Sequence, residues 1–518
     1  MNQLEKPLRP LVLVILDGWG VAPVGGGNAI ELASKPFFDS LITTYPHTEL
    51  TASGEAVGLP PGEAGNSEVG HLNLGAGRVV LQDVTSIDKA IANGSFFRNE
   101  RLLASFEHVT KNQSNLHIMG LVGSGKVHSS NEHLYALLSV AKTFGLNNVF
   151  LHLFTDGRDS SPTLGIKLID EIKEKIGILG IGSIASITGR YWAMARDNHW
   201  DRTEKTYKAL VFGEGQVFAD PKTVFEHYYA NKITDEFIEP SLISLSDGSL
   251  HTIADNDSII FFNYRKDRPR QMTKVFVEPK ITEFDRGKAL ENLNFTTMTS
   301  YEQDLPVAVM FPQENIDQTL TEVISDQKLK QLHIGESEKY AHVTYFFNGG
   351  REKPFPLEDR VHIPSPKVAT YDLKPEMSAI EITNELISRL KTDEYQFYVV
   401  NYANADMVGH TGSISATTAA VETLDQCLKR LSEVILEKGG VLVITADHGN
   451  AEEKLNKTTG EVLTEHSRNK VPFIVVAKEF QNSATKLEEG ILGDVAPTVL
   501  GLMRIKNPEQ MTGKDLLK

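Results

Sequence analysis

The segment LVLVILDGWG, residues 11–20, shows the pattern that decides the fold: six consecutive apolar residues, then Asp17, then a glycine-containing turn. A short apolar run bounded by turn residues is typical of a buried strand. Similar runs alternate with amphipathic helical segments along almost the whole chain. They span residues 115–122, 149–156, 183–189, 258–264, 395–402, 441–447 and 472–478. This alternation predicts an α/β protein with largely parallel sheets.

The composition indicates a soluble globular protein of several domain-sized units, since 41% of its 518 residues are hydrophobic and 23% are charged. Lys and Arg number 52 against 68 Asp and Glu, and the net charge of −16 argues against a general nucleic-acid or anionic-membrane binder. No apolar run is long enough for a signal-peptide core or a membrane span. The single cysteine, Cys427, lies in an amphipathic run, which predicts a packed thiol and a reducing, cytoplasmic location.

Polar side chains follow several of the predicted strands at the point where each strand ends. They are Asp17, Asp156, Asp159, Asp406, His410, Asp447 and His448. The carboxyl ends of strands are where ligands bind in open α/β sheets, so these residues are candidates for function. One of them lies near the N-terminus and four lie beyond residue 400. If they form one site, the chain leaves a domain and returns to it.

Six carboxylates and imidazoles form a candidate metal centre. They are Asp17, Asp406, His410, Asp447, His448 and His466. Mixed oxygen and nitrogen ligands favour Mn²⁺, Zn²⁺ or Mg²⁺, and the absence of cysteine ligands argues against structural zinc. Each residue alone is more often a capping or loop residue. Six of them near strand ends predict a dinuclear metal site.

The segment GEAGNSEVGH, residues 62–71, places Ser67 among three glycines and has neither a helical nor a strand period. A surface turn would use the same residue types. The alternative is a nucleophile on a loop that must approach a phosphate or a metal ion. The segment by itself leaves both interpretations open.

A second group of candidate residues is cationic. Its members are Arg158 beside Asp159, then Arg190, Arg196, Arg265 and Arg268. Arginine binds phosphate and carboxylate through two hydrogen bonds at once, so this set predicts a small, multiply anionic substrate. Each arginine taken alone could equally be an ordinary surface residue. A further segment, GLVGSGKV at 120–127, resembles a phosphate-binding P-loop, but Val127 lacks the hydroxyl that reaches Mg²⁺, so no nucleotide site is predicted.

Five motifs in order along the chain carry a resemblance to a known family. They are GNSEVGH (65–71), TDGRDSSP (155–162), YFFNGG (345–350), ADMVGHTG (405–412) and TADHGN (445–450). The chain resembles the cofactor-independent phosphoglycerate mutases, whose metal domain belongs to the alkaline phosphatase superfamily. The resemblance implies interconversion of 3-phosphoglycerate and 2-phosphoglycerate in glycolysis and gluconeogenesis, without 2,3-bisphosphoglycerate.

The resemblance also implies roles for individual residues in the metal centre. One metal ion would bind Asp406, His410 and His466. A second would bind Asp17, Ser67, Asp447 and His448. The metal is usually Mn²⁺ and in some members Mg²⁺. Ser67 would be the nucleophile that becomes a phosphoserine, because coordination to a divalent ion lowers the pKa of its hydroxyl.

The substrate residues implied by the resemblance include the five arginines of the cationic group. They are His128, Arg158, Asp159, Arg190, Arg196, Arg265, Arg268 and Lys339. The arginines would hold the phosphate and carboxylate of phosphoglycerate, and Asp159 would move a proton between its hydroxyls. Lys339 would offset charge on the transferring phosphoryl group.

The expected organisation is a discontinuous, alkaline-phosphatase-like metal domain, residues 1–81 and 317–518, with an inserted α/β substrate domain at 82–316. Because water competes for a phosphoserine, the domains are expected to close over the site. Candidate hinges are residues 75–83 and 301–309. The family resemblance also suggests a monomer.

Three other functions compete with this interpretation. A metal-dependent phosphatase or sulfatase of the same superfamily would share the metal ligands and the serine, but it has no need for the arginine-rich insertion. A phosphopentomutase would act on a neutral sugar, which the carboxylate-binding arginines disfavour. A catalytically silent nucleotide or metabolite sensor is disfavoured by the complete set of metal ligands.

Overall fold

The computed structural model describes residues 9–245, 247–313, 315–456 and 458–518. The chain divides into two compact units. The first unit is discontinuous and comprises Met1–Gln82 and Asn315–Lys518, whereas the second comprises Asp83–Glu314. Each unit is built around its own sheet. The structure therefore confirms the predicted α/β class.

The sheet of the first unit contains eight strands within the described residues, in the order β12-β11-β13-β1-β14-β15-β2-β16. Their bounds are β1 Leu11–Leu16, β2 His47–Thr51, β11 Gln331–Glu336, β12 Glu358–Ile363, β13 Phe397–Tyr402, β14 Val441–Thr445, β15 Val471–Val476 and β16 Gly490–Ile491. Strand β1 pairs in parallel with β13 and β14, and β15 pairs antiparallel with β14 and β2. All six residues of β1 are fully buried, which explains why its apolar run is continuous rather than alternating.

Helices cover the sheet of the first unit. Their bounds are α1 Ala29–Leu32, α2 Pro36–Thr44, α3 Ser67–Ala76, α12 Leu320–Asp326, α13 Ala379–Lys391, α14 Asn404–Gly409, α15 Ile414–Glu437 and α16 Val495–Leu502. The longest of these, α15, buries one apolar face, and Cys427 lies on that face with its sulfur 3.7 Å from the carbonyl oxygen of Ala379. The prediction of a packed thiol is confirmed.

The sheet of the second unit also has eight strands within the described residues, in the order β10-β9-β8-β3-β4-β5-β7-β6. Their bounds are β3 Leu116–Val122, β4 Val149–Thr155, β5 Ser183–Gly189, β6 Gln216–Phe218, β7 Ser241–Ile243, β8 Ser258–Phe261, β9 Asn294–Thr299 and β10 Ala308–Phe311. These strands pair in parallel except β5 with β7. The second unit is thus an α/β layer structure of its own.

The second unit also contains α-helices. Their bounds are α4 Asp83–Ala92, α5 Glu100–Asn112, α6 Asn131–Phe144, α7 Gly165–Leu179, α8 Arg190–Ala193, α9 Trp200–Phe212, α10 Pro221–Ala230 and α11 Arg270–Val277. In the part of the chain that the structure describes, no helix has the length and apolar character required to cross a membrane.

The second candidate hinge, residues 301–309, is a wrong prediction. Tyr301 is buried, and its hydroxyl donates to the carbonyl oxygen of Asn263 at 2.6 Å, with that of Phe261 also close, at 3.0 Å. Residue Ala308 begins strand β10. Both ends of this stretch are therefore anchored in the second unit, by Tyr301 and by β10, and the chain passes to the first unit only after it.

Candidate active site

The predicted metal ligands all lie in the first unit, near the carboxyl edge of its parallel strands. Asp17 follows β1, Asp447 follows β14, and Asp406 lies in α14 just after β13. These three strands are neighbours in the sheet, so their carboxyl ends bring the three side chains to one place. All three carboxylates are buried.

Ser67 is the first residue of helix α3, and it is buried rather than part of a surface turn. The preceding Asn66 caps the helix, its side chain accepting from the amide of Val69 at 3.0 Å. One turn later, a Cβ added at Gly70 would lie 2.6 Å from the carbonyl oxygen of Asp447. Glycine at this position therefore allows the helix that carries Ser67 to approach the metal-ligand loop closely.

Three predicted ligands of one metal ion form a tight triangle. Nε2 of His410 and Nε2 of His466 lie 3.1 and 3.2 Å from Oδ1 of Asp406, and 3.0 Å from each other. The other ring nitrogens, Nδ1, lie 2.7 Å from the carbonyl oxygen of Thr464 and 2.9 Å from that of Gly65. Carbonyl oxygens only accept, so each Nδ1 carries a proton, and in the neutral imidazole each Nε2 then presents a lone pair to a ligand.

Three ligand atoms that converge in this way can hold a cation between them. Ligand atoms about 2.1 Å from a metal ion lie roughly 3.0–3.4 Å from one another, which is the spacing of the three atoms of Asp406, His410 and His466. The donor set of one carboxylate and two imidazoles suits a divalent metal. These residues therefore fit the metal ion implied by the sequence.

The second predicted ligand group surrounds the hydroxyl of Ser67. Its Oγ lies 3.2 Å from Oδ1 of Asp17 and 3.0 Å from Nε2 of His448, and the latter two atoms are 3.4 Å apart. Oδ2 of Asp447 lies 3.6 Å from Nε2 of His448 and is buried without a hydrogen-bond partner among the described residues. An orphaned buried carboxylate oxygen beside other ligand atoms again fits a cation.

His448 lies between the two groups. Its Nε2 or Nδ1 belongs to one set of clustered ligand atoms with Asp406 and His466 and to another with Asp17 and Asp447. Its ring stacks on that of His466 with centroids 3.9 Å apart. The two groups are therefore contiguous, which is the arrangement a dinuclear centre needs.

Lys339 places a positive charge among these carboxylates. Its Nζ lies 2.8 Å from Oδ1 of Asp17, 2.7 Å from Oγ of Ser67 and 2.6 Å from Oδ2 of Asp406. The lysine is buried. Burial opposes its charge, but attraction to the carboxylates outweighs burial and raises the pKa of Lys339.

The same balance acts on the acids and on His448. Burial alone would raise the pKa of Asp17, but Lys339 outweighs it and lowers that pKa well below its usual range. Burial alone would lower the pKa of His448, whereas Asp447 and its neighbouring carboxylates raise it to about 10. The centre is thus a set of ionised acids that attract cations.

The predicted substrate residues other than Lys339 lie in the second unit. Arg190 begins α8 directly after β5, and its Nη1 lies 2.5 Å from both Oδ1 of Asp156 and Oδ2 of Asp159. Its Nη2 lies 2.9 Å from Nε2 of His128. Because a guanidinium only donates, Nε2 of His128 accepts and the proton is on Nδ1. Asp159 and His128 are therefore held on either side of one buried arginine.

Three further arginines are held by carboxylates. Nη1 of Arg196 and Nε of Arg265 lie 3.0 and 3.1 Å from the two carboxylate oxygens of Asp267. Nη2 of Arg158 lies 2.7 Å from Oε1 of Glu236. About half of each arginine side chain is exposed, so each can also meet a ligand.

Arg268 shows that the guanidinium groups converge. Its Nη1 donates to the carbonyl oxygen of Met194 at 3.2 Å. Burial lowers the pKa of Arg268, and repulsion from Arg190, Arg196 and Arg158 lowers it further. A cluster of mutually repelling cations in an acidic protein fits a multiply anionic ligand.

The segment that resembles a P-loop packs against the loop that carries Asp159. A Cβ at Gly125 would lie 2.2 Å from the carbonyl oxygen of Asp159, and the amide of Ser124 donates to Oγ of Ser160 at 2.9 Å. Gly123 and Gly125 are explained by this close approach. They bring His128, at the end of the same loop, toward Asp159, with Nε2 and Oδ2 3.7 Å apart.

Sequence reasoning did not assign several residues that hold the site together. They are His71, Glu236, Asp267, Asn401 and Asn450. Three lie inside or beside quoted motifs, His71 in GNSEVGH, Asn450 in TADHGN and Asp267 between Arg265 and Arg268, so their position was a usable signal. Glu236 and Asn401 had no such signal, because their partners are distant in sequence.

Comparison with known proteins agrees with this geometry. Residues 9–507 match the Metalloenzyme superfamily. The chain is 50% identical over 509 residues to the 2,3-bisphosphoglycerate-independent phosphoglycerate mutase of Moorella thermoacetica, covering 98% of each chain. It is 48% identical over 511 residues to that of Clostridium novyi, covering 98% of this chain and 99% of the relative.

A solved structure gives the same result. The phosphoglycerate mutase of Leishmania mexicana, determined at low cobalt concentration, is 30% identical with a TM-score of 0.62, covering 99% of this chain and 98% of the other. The resemblance carried by the five motifs is thereby confirmed, and the residues described above fit divalent metal ions. This chain belongs to the 2,3-bisphosphoglycerate-independent phosphoglycerate mutases, within the Metalloenzyme superfamily.

Proposed function

We propose that this protein interconverts 3-phosphoglycerate and 2-phosphoglycerate through a phosphoserine at Ser67, without 2,3-bisphosphoglycerate. It is an isomerase, since its relatives are named mutases. One observation carries the assignment of the nucleophile. Oγ of Ser67 lies 3.2 Å from Asp17, 3.0 Å from His448 and 2.7 Å from Lys339, all buried. A serine with no role in chemistry has no need for such neighbours.

The metal chemistry is assigned to residues 1–81 and 317–518, and substrate binding to residues 82–316. Asp406, His410 and His466 would hold one divalent ion, and Asp17, Ser67, Asp447 and His448 would hold the other. When bound, the ions lower the pKa of the serine hydroxyl and neutralise phosphoryl charge. Mn²⁺ is proposed, with Mg²⁺ as the alternative that the same ligands accept.

The transfer of the phosphoryl group is assigned to Ser67 and Lys339. Ser67 attacks phosphorus, forming a new P–O bond while the bond to the 3-oxygen of the substrate breaks. After the glycerate has turned, its 2-hydroxyl attacks the same phosphorus and the bond to Ser67 breaks. Lys339, with its ammonium 2.7 Å from Oγ, offsets charge on the phosphoryl group in both steps.

The second group of residues orients the glycerate and manages its proton. Arg158, Arg190, Arg196, Arg265 and Arg268 bind the phosphate and carboxylate groups. Asp159 transfers a proton between the hydroxyls, because each hydroxyl is a leaving group in one direction and a nucleophile in the other. His128 lies beside Asp159, with its Nε2 3.7 Å from Oδ2 of Asp159 and accepting from Nη2 of Arg190.

A hydrolase of the same superfamily is the alternative, since the metal ligands and Ser67 would serve it equally well. The convergent arginines favour a mutase, because only a mutase must retain the dephosphorylated acid. We further propose that the protein is a cytoplasmic monomer that binds no nucleic acid, in keeping with its charge of −16.

The test follows 3-phosphoglycerate by phosphorus NMR, with purified protein and Mn²⁺ and without 2,3-bisphosphoglycerate. Formation of 2-phosphoglycerate that is abolished by EDTA and by Ser67→Ala is the expected result. Free phosphate as the only product would support the hydrolase. Conversion that survives in Ser67→Ala would contradict the proposed nucleophile.

A further inference from the structure

His71 is a buried imidazole to which the proposed mechanism assigns no step. It lies on α3 one helical turn after Ser67 and is fully buried. Its Nδ1 lies 2.9 Å from the carbonyl oxygen of Ser67 and 3.1 Å from Oδ2 of Asp447. Both neighbours are acceptors, so Nδ1 carries the proton. The geometry directs that proton to the carbonyl oxygen of Ser67, and Oδ2 of Asp447 keeps its lone pairs free of hydrogen bonds among the described residues.

The other ring nitrogen of His71, Nε2, is hydrogen-bonded as well. With the proton on Nδ1, Nε2 must accept, and Nδ2 of Asn401 lies 3.0 Å from it. The same Nδ2 lies 2.7 Å from Oδ2 of Asp17. The amide nitrogen has two hydrogens and faces two acceptors, so both hydrogen bonds can form at once. Asn401 is itself fully buried in β13, beside β1.

These contacts form one connected set, which we call the His71–Asn401 network. It hydrogen-bonds Asp17 and the backbone of Ser67, and it places Nδ1 of His71 in contact with Oδ2 of Asp447 at 3.1 Å. These are three of the four ligands assigned to one metal ion. The triangle of the other ion is held differently, since Oδ1 of Asp406 accepts from Nδ2 of Asn450 at 2.7 Å.

We propose that His71 and Asn401 are positioning residues that orient Asp17, Ser67 and Asp447 toward a single metal ion. This inference rests on the metal assignment of the proposed function. Two free carboxylates and a helix terminus would have to lose several rotations on binding a metal, and the network removes that freedom in advance. Asn401 occupies Oδ2 of Asp17, so Oδ1, the oxygen that contacts Ser67 and Lys339, is the one directed at the ion. Oδ2 of Asp447 has no hydrogen-bond partner among the described residues and is its counterpart.

The proposal predicts an effect confined to one of two metal ions. Partners outside the ligand shell typically change metal affinity by about 10–100-fold when they are removed. His71→Phe keeps a ring of similar size and removes both hydrogen bonds. We expect it to bind one Mn²⁺ with wild-type affinity and the second about 10–100-fold more weakly.

His333 provides a matched control in the same unit. It is also fully buried, and its Nδ1 lies 2.6 Å from the carbonyl oxygen of Val343, while its Nε2 lies 3.4 Å from Oε1 of Gln331. His333→Phe therefore loses a buried hydrogen bond in the core, as His71→Phe does, whereas both Mn²⁺ affinities should stay unchanged.

The experiment titrates metal-free wild-type protein, His71→Phe and His333→Phe with Mn²⁺ by calorimetry. Electron paramagnetic resonance of the same samples reports whether two Mn²⁺ ions are close enough to couple. We expect the coupled signal in the wild type and in His333→Phe, and an isolated-ion signal in His71→Phe at equal Mn²⁺. Loss of the second ion in His333→Phe to the same extent would overturn the inference, because any core defect would then suffice.

Two further outcomes are distinguishable. Wild-type protein that binds fewer than two Mn²⁺ would overturn the metal assignment of the proposed function. Two ions bound equally by wild type and His71→Phe would overturn only the positioning role. If His71→Phe does not fold, His71→Asn is the deciding variant, because its side chain keeps an N–H near the Nδ1 position but cannot accept from Asn401. The second ion should then bind at least severalfold more weakly. Wild-type affinity for that ion would overturn the inference.

Discussion

The ammonium group of Lys339 lies 2.7 Å from the hydroxyl of Ser67, although 272 residues separate them along the chain. The same ammonium contacts the carboxylates of Asp17 and Asp406. Both carboxylates and the lysine are buried, so their charges depend on one another. Lys339 is therefore both the charge that faces the proposed phosphoryl group and a counterion for Asp17 and Asp406, the acids assigned to metal binding.

Replacing Lys339 by methionine should separate these two effects. Without metal, removal of the ammonium leaves two buried carboxylates uncompensated, which should lower the free energy of unfolding by about 3–5 kcal/mol. Saturating Mn²⁺ should restore most of this loss, because the ions replace the missing charge. Thermal unfolding with EDTA and with Mn²⁺ measures both. An equal loss in the two conditions would contradict the counterion role, and mutase activity should stay low in either case.

Metal affinity should rise with pH. The hydrogen bond with Asp406 raises the pKa of His410, and Asp447 and its neighbouring carboxylates raise the pKa of His448 to about 10 against the opposing effect of burial. In the metal-free protein His448 stays protonated near neutral pH, so a metal ion must displace a proton from it, and the raised pKa of His410 adds to this effect.

The sign of the stability effect is opposite in the metal-free protein. A pKa raised from 6.5 in His448 contributes stability that is complete below pH 6.5 and is lost as pH rises toward about 10. Calorimetric titration with Mn²⁺ in buffers of different ionisation enthalpy counts the protons released. Affinity that stays flat from about pH 6 to about pH 8, with no proton release, would contradict the assigned ligands.

Gly70→Ala should impair the metal centre although alanine favours helices. The added Cβ would lie 2.6 Å from the carbonyl oxygen and 2.7 Å from Cβ of Asp447, so the ligand loop would have to move. We expect Mn²⁺ affinity to fall by at least about tenfold. Gly177 in α7 is the matched control, because nothing lies within 4 Å of its added Cβ. Gly177→Ala should stabilise the protein by about 1 kcal/mol without changing metal binding.

Asp267→Asn should raise KM more than it lowers kcat. Its carboxylate holds Nη1 of Arg196 and Nε of Arg265 at 3.0 and 3.1 Å, and an amide cannot accept two charge-assisted bonds in the same way. With the arginines less well ordered, KM for phosphoglycerate should increase about tenfold. Steady-state kinetics at saturating Mn²⁺ provide the measurement. A fall in kcat at constant KM would instead place Asp267 in the chemical step.

Asp159→Asn should abolish proton transfer and leave metal binding intact. The predicted fall in kcat is about 10²–10⁴-fold, the usual contribution of a general acid–base. Asp170, whose side chain is 55% exposed in the same unit, is the control, and Asp170→Asn should retain full activity. Calorimetry of both variants with Mn²⁺ checks the metal centre. Wild-type kcat in Asp159→Asn would show that another group moves the proton.

Local pattern was sufficient for the central strands. All eight predicted strands are present, because a strand buried on both faces must be apolar throughout, and that property can be seen in a window of a few residues. Strands β9, NFTTMT, and β11, QLHIGE, were not predicted, because their polar residues break the apolar run. Several of these polar side chains are buried all the same, since they have hydrogen-bond partners in other elements. Gln331, for example, donates to the carbonyl oxygen of Thr321 at 2.8 Å.

The amino-acid sequence by itself determined the α/β class, the family and the residue types available for metal and anion binding, since these follow from periodicity and short motifs. Only the tertiary structure decided which groups meet. His410 and His466 face each other at 3.0 Å, Asp267 lies between two arginines, and Asn401 connects His71 with Asp17. A hydrogen bond between distant residues depends on strand order and loop path, which the whole chain sets by burying its apolar surface, and no local preference encodes it.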